Sequence, residues 1–365
     1  MNSLFKFCAL ILLLEGLSEV KAQDTTKSKV THLTYSGYIE TYYSYDFSKP
    51  ISHQRPAFFY SYNRHNEVNL NLGFIKANYQ NQKIKANLAL MAGTYPQYNL
   101  ANEPQALQNV FEANVGWKVS GKSNLWLELG IMPSHIGFES AIGKECWNLS
   151  RSILADNSPY YESGAKLSYT SNDEKYYLAL LYLNGWQRIK RIEQNQTPAF
   201  GSQISIKPSD KTILNWSTYI GNEQVDTMQK WRFFNNIYGV LELTKNLGLI
   251  LGFDLGIQQK RDSTLKLIKG MDKWFSPILI LRYTLSAKTR LACRAEYYSD
   301  PRQVIIQTGT PNGFKTMGYS LNYDYCPFEN AMMRIEARQL ISKDKIFEST
   351  SNQNIYLTTS FAISF

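Results

Sequence analysis

The chain has 365 residues and a formal net charge of +9; it is 44% hydrophobic, yet its mean hydropathy is only −0.34. No apolar run reaches the length of a helical span, which excludes a helical membrane protein. The basic balance comes without a Lys/Arg run or a binding motif, which argues against a nucleic-acid partner. The 25 Tyr and 18 Phe suit aromatic girdles at two water–lipid interfaces.

At the N-terminus, Lys6, the apolar stretch Phe7–Leu14 and Val20-Lys21-Ala22 before Gln23 follow the layout of a secretory signal. Residues 1–22 are expected to be a signal peptide cut near Ala22, and 23–365 a single outer-membrane β-barrel. Cleavage leaves Cys146, Cys293 and Cys326. That odd number in an oxidising compartment argues against a disulfide framework. They are expected to be unpaired and far apart, with Cys146 in an outer loop, Cys293 facing lipid and Cys326 at an inner turn.

Alternating apolar and polar residues then predict strands near 33–46, 64–80, 82–94, 107–120, 123–134, 159–171, 174–187, 199–208, 211–222, 231–245, 247–261, 272–285, 288–300, 313–325, 329–342 and 353–365. After each even-numbered strand the link is short and rich in turn residues, as at Asn81, Ser120-Gly121-Lys122, Ser209-Asp210 and Ser286-Ala287. After each odd-numbered strand the link is longer, as in 47–63, 95–106, 135–158 and 301–312. Short turns at one end and long loops at the other are the mark of a transmembrane antiparallel β-barrel. The expectation is an all-β chain of about 16 strands with both ends periplasmic. A helix-like piece, Glu145–Ala155, sits in the longest loop. The chain stops on an alternating strand, Asn354–Phe365, which makes physical sense if it closes against the first strand and leaves no edge.

Several stretches carry a family resemblance: Ser36-Gly37-Tyr38-Ile39-Glu40-Thr41-Tyr42-Tyr43, Asn109-Val110-Phe111-Glu112-Ala113, and Gly130-Ile131-Met132-Pro133-Ser134-His135-Ile136-Gly137-Phe138-Glu139-Ser140. Arg151-Ser152, Asn157-Ser158-Pro159-Tyr160-Tyr161-Glu162-Ser163-Gly164 and Leu183-Asn184-Gly185-Trp186 complete the set. Together they resemble the OmpL-like group of beta-barrel porins, most densely from Ser36 to Trp186. The resemblance implies an outer-membrane channel. It implies no solute and supplies no catalytic residues. The terminal Phe365 is similar to the C-terminal signal of bacterial outer-membrane barrels, which makes the barrel-assembly machinery an expected partner beside lipid and small hydrophilic solutes.

Parity assigns the walls. On 247–261, Leu247, Leu249, Leu251, Phe253, Leu255 and Ile257 face lipid, and Asp254, Gln258 and Lys260 face the lumen. On 123–134, Leu125, Leu127, Leu129 and Ile131 face out; on 107–120, Phe111, Ala113, Val115 and Trp117 do. Strand 174–187 is apolar on both parities and has no assigned orientation. A charge facing lipid at mid-bilayer costs about 2–4 kcal/mol, so mid-strand charges are placed inside. The expected pore-lining residues are Glu40, Glu112 and Glu128 on early strands and Arg282, Arg290, Arg294, Glu296, Arg334, Glu336 and Arg338 on late ones. Glu40 is expected close enough to the arginines to pair with one, and an unpaired arginine surplus is expected to make the pore weakly anion-preferring. For the loop 135–158, folding into the lumen and covering the mouth stand as equal alternatives.

An enzyme is not expected. The mature chain offers only His32, His53, His65 and His135, and no nucleophile–base pair is visible. No ligand spacing supports a metal site from His53, His65 and His135, and no cofactor is expected. The rival to a passive channel for small hydrophilic solutes is a structural or adhesive barrel without an open path. A homo-oligomer is open by analogy with porins of this strand number.

Overall fold

The computed structural model describes residues 32–262, 266–348 and 350–365; the expected signal segment lies outside them. Among the described residues, sixteen strands follow in order: β1 (His32–Asp46), β2 (Val68–Gln80), β3 (Ile84–Ala92), β4 (Val110–Lys118), β5 (Asn124–Pro133), β6 (Tyr161–Thr170), β7 (Tyr176–Leu183), β8 (Ala199–Ser209), β9 (Thr212–Asn222), β10 (Trp231–Glu242), β11 (Leu247–Arg261), β12 (Leu267–Thr284), β13 (Thr289–Asp300), β14 (Phe314–Phe328), β15 (Ala331–Ser342) and β16 (Gln353–Ser364). Each pairs antiparallel with the next. β16 returns to β1 from Tyr38↔Ser364 to Asp46↔Tyr356, so the sheet closes and no edge remains. Phe365 extends the seam, exchanging backbone hydrogen bonds with Gly37 at 2.7 and 3.0 Å.

The short turns follow from their first side chains. Asn81 Oδ1 accepts from the backbone N–H groups of Lys83 and Ile84 at 2.8 and 2.9 Å, and Thr244 Oγ1 does the same for Asn246 and Leu247 at 3.2 and 3.0 Å. These local bonds reverse the chain in a few residues and set the register of each hairpin.

Alternation decides the faces. Val115, Trp117, Leu129, Leu178, Leu180, Leu251 and Leu321 stand exposed on the outside, while Glu40, Asn114, Asp254, Asn322 and Thr358 are buried within. β7 also acquires its orientation: Ala179, Leu181 and Leu183 point inward. Its inner face is apolar because folded loops cover it. Those side chains join Phe58, Phe59, Ile136 and Ile153 in one buried cluster.

Three expectations need correction. Phe111 does not face lipid, because the β3–β4 register shifts between Ala89 and Leu90 so that Glu112 lies opposite Ala89 and Val110 opposite Leu90. Phe111 is the extra residue of that bulge, and its ring stacks on buried Phe74 with centroids 4.9 Å apart. Glu145–Ala155 is not one helix. A 3-10 turn covers Gly143–Glu145 and a short helix Ile153–Asp156, because the backbone groups between are bonded to the barrel wall instead. Cys326 lies within β14 rather than at a turn, and Cys146 is buried although its loop follows a long-loop end; Cys146, Cys293 and Cys326 are all free. A helix not read from the sequence, Thr94–Asn99, lies in the second long loop.

Candidate functional site

A barrel of sixteen strands is too wide for its wall side chains alone to fill. The segment 134–160 enters the lumen and occupies one side of it. It leaves the end of β5 through His135, whose Nδ1 lies 2.7 Å from Glu162 Oε1 on β6 and whose Nε2 lies 2.8 Å from the Thr218 carbonyl on β9. Both ring nitrogens face acceptors, which matches a doubly protonated imidazolium. Ser217 Oγ donates to the His135 carbonyl at 2.6 Å and completes this anchor.

The loop then reaches the short-turn end. Lys144 Nζ donates to the Glu329 carbonyl at 3.0 Å and to Ser364 Oγ at 2.8 Å. From there it runs back along β13–β15, where the wall charges hold its backbone. Arg334 donates to the carbonyls of Gly143, Cys146 and Trp147 at 2.8, 3.0 and 3.0 Å. Asn322 Oδ1 accepts from Leu149 N at 3.0 Å, Arg338 donates to the Arg151 carbonyl at 2.8 Å, and Glu296 accepts from Ile153 N at 2.7 Å. Inside the loop, Arg151 ties the carbonyls of Ser140, Ala141 and Leu149 together at 2.6, 3.0 and 2.8 Å. Ser152 Oγ accepts from Ala155 N at 3.1 Å and so starts the short helix. Hydrogen bonds to charged groups contribute about 1.5–3 kcal/mol each, so the set fixes the loop against this wall.

The expected residues therefore divide. Arg294 pairs with Glu336 at 3.0 Å and with Glu296 at 3.2 Å; Arg334 pairs with Asp324 at 2.6 Å; Arg338 pairs with Glu296. Each of these three arginines is at most 3% exposed and ion-paired, so none of them carries the expected unpaired surplus; among the described residues only Arg282 and Arg290 of the late wall's expected arginines lack an ion pair. Glu40 does not pair with an arginine of that wall. Its carboxylate accepts from Tyr62 OH at 2.9 Å and Asn71 Nδ2 at 3.1 Å, because the first long loop also folds inward and brings Tyr62 to it. Arg282 and Arg290 are half-buried; Arg282 lies over the Trp147 ring, 4.1 Å from its centroid.

Glu112 and Glu128 lie on the other side. Glu112 pairs with Lys76, and Glu128 with Lys85 at 3.0 Å and Lys166 at 3.3 Å. Beside them an amide ladder crosses the strands: Asn78 to Asn87 at 2.5 Å, Asn87 to Asn114 at 2.8 Å, and Asn114 to the Ile131 carbonyl at 2.9 Å. Two cavities adjoin this wall. One of about 330 Å³ is lined by Asn87, Glu112, Asn114, Glu128 and Lys166, and one of about 420 Å³ by Lys76, Phe111, Glu112 and Tyr238; Glu112, Pro133 and Ser134 border both. Sequence reasoning missed Lys76, Lys85 and Lys166, although each shares the inner parity of its strand with Phe74, Ala89 or Ser168. His53 and His65 lie side by side with ring centroids 6.1 Å apart, and His65 Nδ1 accepts from Asp46 N at 2.9 Å; His135 does not join them and is held by Glu162.

A family model described as "Putative beta-barrel porin-2, OmpL-like" matches residues 32–365. No curated protein sequence matches the chain. Among solved structures, the anion-selective porin from Comamonas acidovorans is similar with a TM-score of 0.59 at 10% identity, covering 92% of this chain and 100% of its own. The in-vitro folded trimer form of OmpT from Vibrio cholerae gives 0.58 at 9% identity, covering 92% and 99%. The outer membrane channel DcaP of Acinetobacter baumannii gives 0.56 at 10%, covering 93% and 99%. At such identities the likeness is one of fold.

Proposed function

The chain belongs to the OmpL-like beta-barrel porin-2 family, and from that premise we propose that it is an outer-membrane channel for passive diffusion of small hydrophilic solutes, weakly preferring anions. One observation carries the reading. The inward loop is bonded to β13–β15, while the wall of β2–β6 keeps ionised side chains beside open cavities. The solute path runs along Glu112 and Glu128. Arg294, Glu296, Arg334, Glu336 and Arg338 shape the constriction by holding the loop, Glu40 supports the first loop, and Arg282 and Arg290 border the periplasmic end.

The preference for anions has a different source from the one expected. On the path wall Lys76, Lys85 and Lys166 face Glu112 and Glu128, three cations against two carboxylates. That excess and the net charge of +9 favour anions weakly. The effect fades as the Debye length shortens to about 10 Å at 0.1 M salt. Residues 1–22 act as an export signal cut near Ala22, the strand ending in Phe365 is read by the assembly machinery, and the barrel forms homo-oligomers in the outer membrane.

Purified protein in planar bilayers tests the channel, with a liposome-swelling panel of sugars, amino acids and phosphate to rank solutes. Stable ion conductance supports it. A protein that inserts but neither conducts nor swells liposomes supports the structural or adhesive barrel. That reading draws on the first loop, whose Phe58, Phe59 and Tyr62 are also buried inside.

A further inference from the structure

We propose that the cavity beside Phe111 is a binding station for a neutral pyranose sugar within the channel, a reading that rests on the channel function and names a solute class for it. The first observation is the bulge. Plain alternation would leave the Phe111 ring in lipid at no cost, yet the extra residue in β4 turns it into a polar lumen. Bulges re-aim side chains next to functional sites. The ring completes a three-ring stack: Tyr38 on Phe74 with centroids 5.8 Å apart, and Phe74 on Phe111 at 4.9 Å with planes 13° apart. Its last member is half-buried and lines a cavity of about 420 Å³. Phe138 and Tyr238, packed edge to face with centroids 5.5 Å apart, line the same cavity. Concave sites of this size, lined by apolar and aromatic side chains with a few polar groups, suit small organic ligands.

The polar groups select among flat ligands. Glu139 is buried and its Oε1 accepts no hydrogen bond among the described groups; its cation, Arg294, is 3.8 Å away. Glu112 faces Lys76. Glu112 is thus charge-balanced, Glu139 shares Arg294 with Glu296 and Glu336, and Glu145 is the cavity's third carboxylate. Such a site offers hydroxyl acceptors beside aromatic faces. A pyranose presents both complements, an apolar C–H face and a rim of hydroxyl donors. A free organic acid would meet three carboxylates and Lys76 here, because Lys85 and Lys166 stand elsewhere on the wall, beside Glu128.

Saturation-transfer NMR on the purified protein in detergent micelles, with methyl α-glucoside and maltotriose as probes and phenethylammonium as control, tests the station. Folding of each variant is checked by heat-modifiable migration on a gel. Wild-type protein should transfer saturation to the sugars. Phe111→Leu keeps the apolar volume but loses the aromatic face, and should weaken sugar binding about tenfold, as should Tyr238→Leu. Silence of both sugars with wild-type protein, preferential binding of phenethylammonium, or unchanged binding by both folded variants would overturn the proposal. The bilayer measurement separates the two readings: a conducting protein that ignores sugars keeps the channel and loses the station, and a sugar-binding protein that does not conduct does the reverse.

Discussion

Arg294 and Glu336, on β13 and β15 with β14 between them, stand 3.0 Å apart, and both hold the same loop residue. Arg294 donates to the Ser150 carbonyl at 2.7 Å, and Ser150 N donates to Glu336. The pair is fully buried. Removing one partner of such a pair leaves an uncompensated charge and costs about 3–5 kcal/mol. Arg294→Met should therefore free the loop and raise single-channel conductance and current noise, with a lower denaturation midpoint. Replacing Arg294 and Glu336 together by Met and Gln should restore part of the stability. Conductance identical to wild type in the single variant would show that the loop does not narrow the path.

Loop docking should weaken as pH rises. Burial pushes the Asp156 carboxyl up to about 7, against the attraction of Arg338 and Arg151. A carboxyl raised in the folded state favours docking when protonated, and that contribution is lost as pH climbs from about 4, the unfolded carboxylate range, to about 7. For His135, burial lowers the pKa, but the Glu162 charge and hydrogen bond outweigh it, and the net direction is upward. A raised imidazole contributes fully below its unfolded value, about 6.5, and loses its contribution as pH passes its folded value above that. Current noise should thus grow from pH 5 to pH 8. Asp156→Asn should remove the acid part of the slope and His135→Gln the neutral part; a noise level flat across that range contradicts both assignments.

Gly130 holds a tight point in the wall. It has a φ of 126° and sits opposite Asn114 on β4 and Gly164 on β6. A Cβ there would overlap the Ala113 carbonyl. Gly130→Ala should cost at least about 1–3 kcal/mol from backbone strain and lower the refolded yield in micelles. A yield equal to wild type would show that β4 and β5 can separate without loss.

Much of this fold was legible because alternation is local. The Leu247–Ile257 face and the Asn81 and Ser286 turns are each decided within a few residues, and sixteen strands follow from them. The misreadings have non-local causes. Phe111 is turned inward by pairing with β3, which the order of residues in β4 does not reveal. Arg294 and Arg338, read as part of an unpaired surplus, are matched by carboxylates about forty residues away, Glu336 and Glu296. The placement of Lys144–Asp156 depends on those matched pairs, so it could not be read from the loop itself. Lys76, Lys85 and Lys166 could have been found by the parity rule that placed Glu112 and Glu128.

The reversal potential in a salt gradient tests the central claim most directly, because it reads which charges face the moving ions. With Lys76, Lys85 and Lys166 on the path, their joint replacement by Gln should move it toward cations, and Glu112→Gln with Glu128→Gln should move it toward anions. Arg294→Gln with Arg338→Gln should alter conductance more than selectivity. If the lysine variant leaves the potential unchanged while the arginine variant shifts it at constant conductance, the path runs along β13–β15 and the account is wrong.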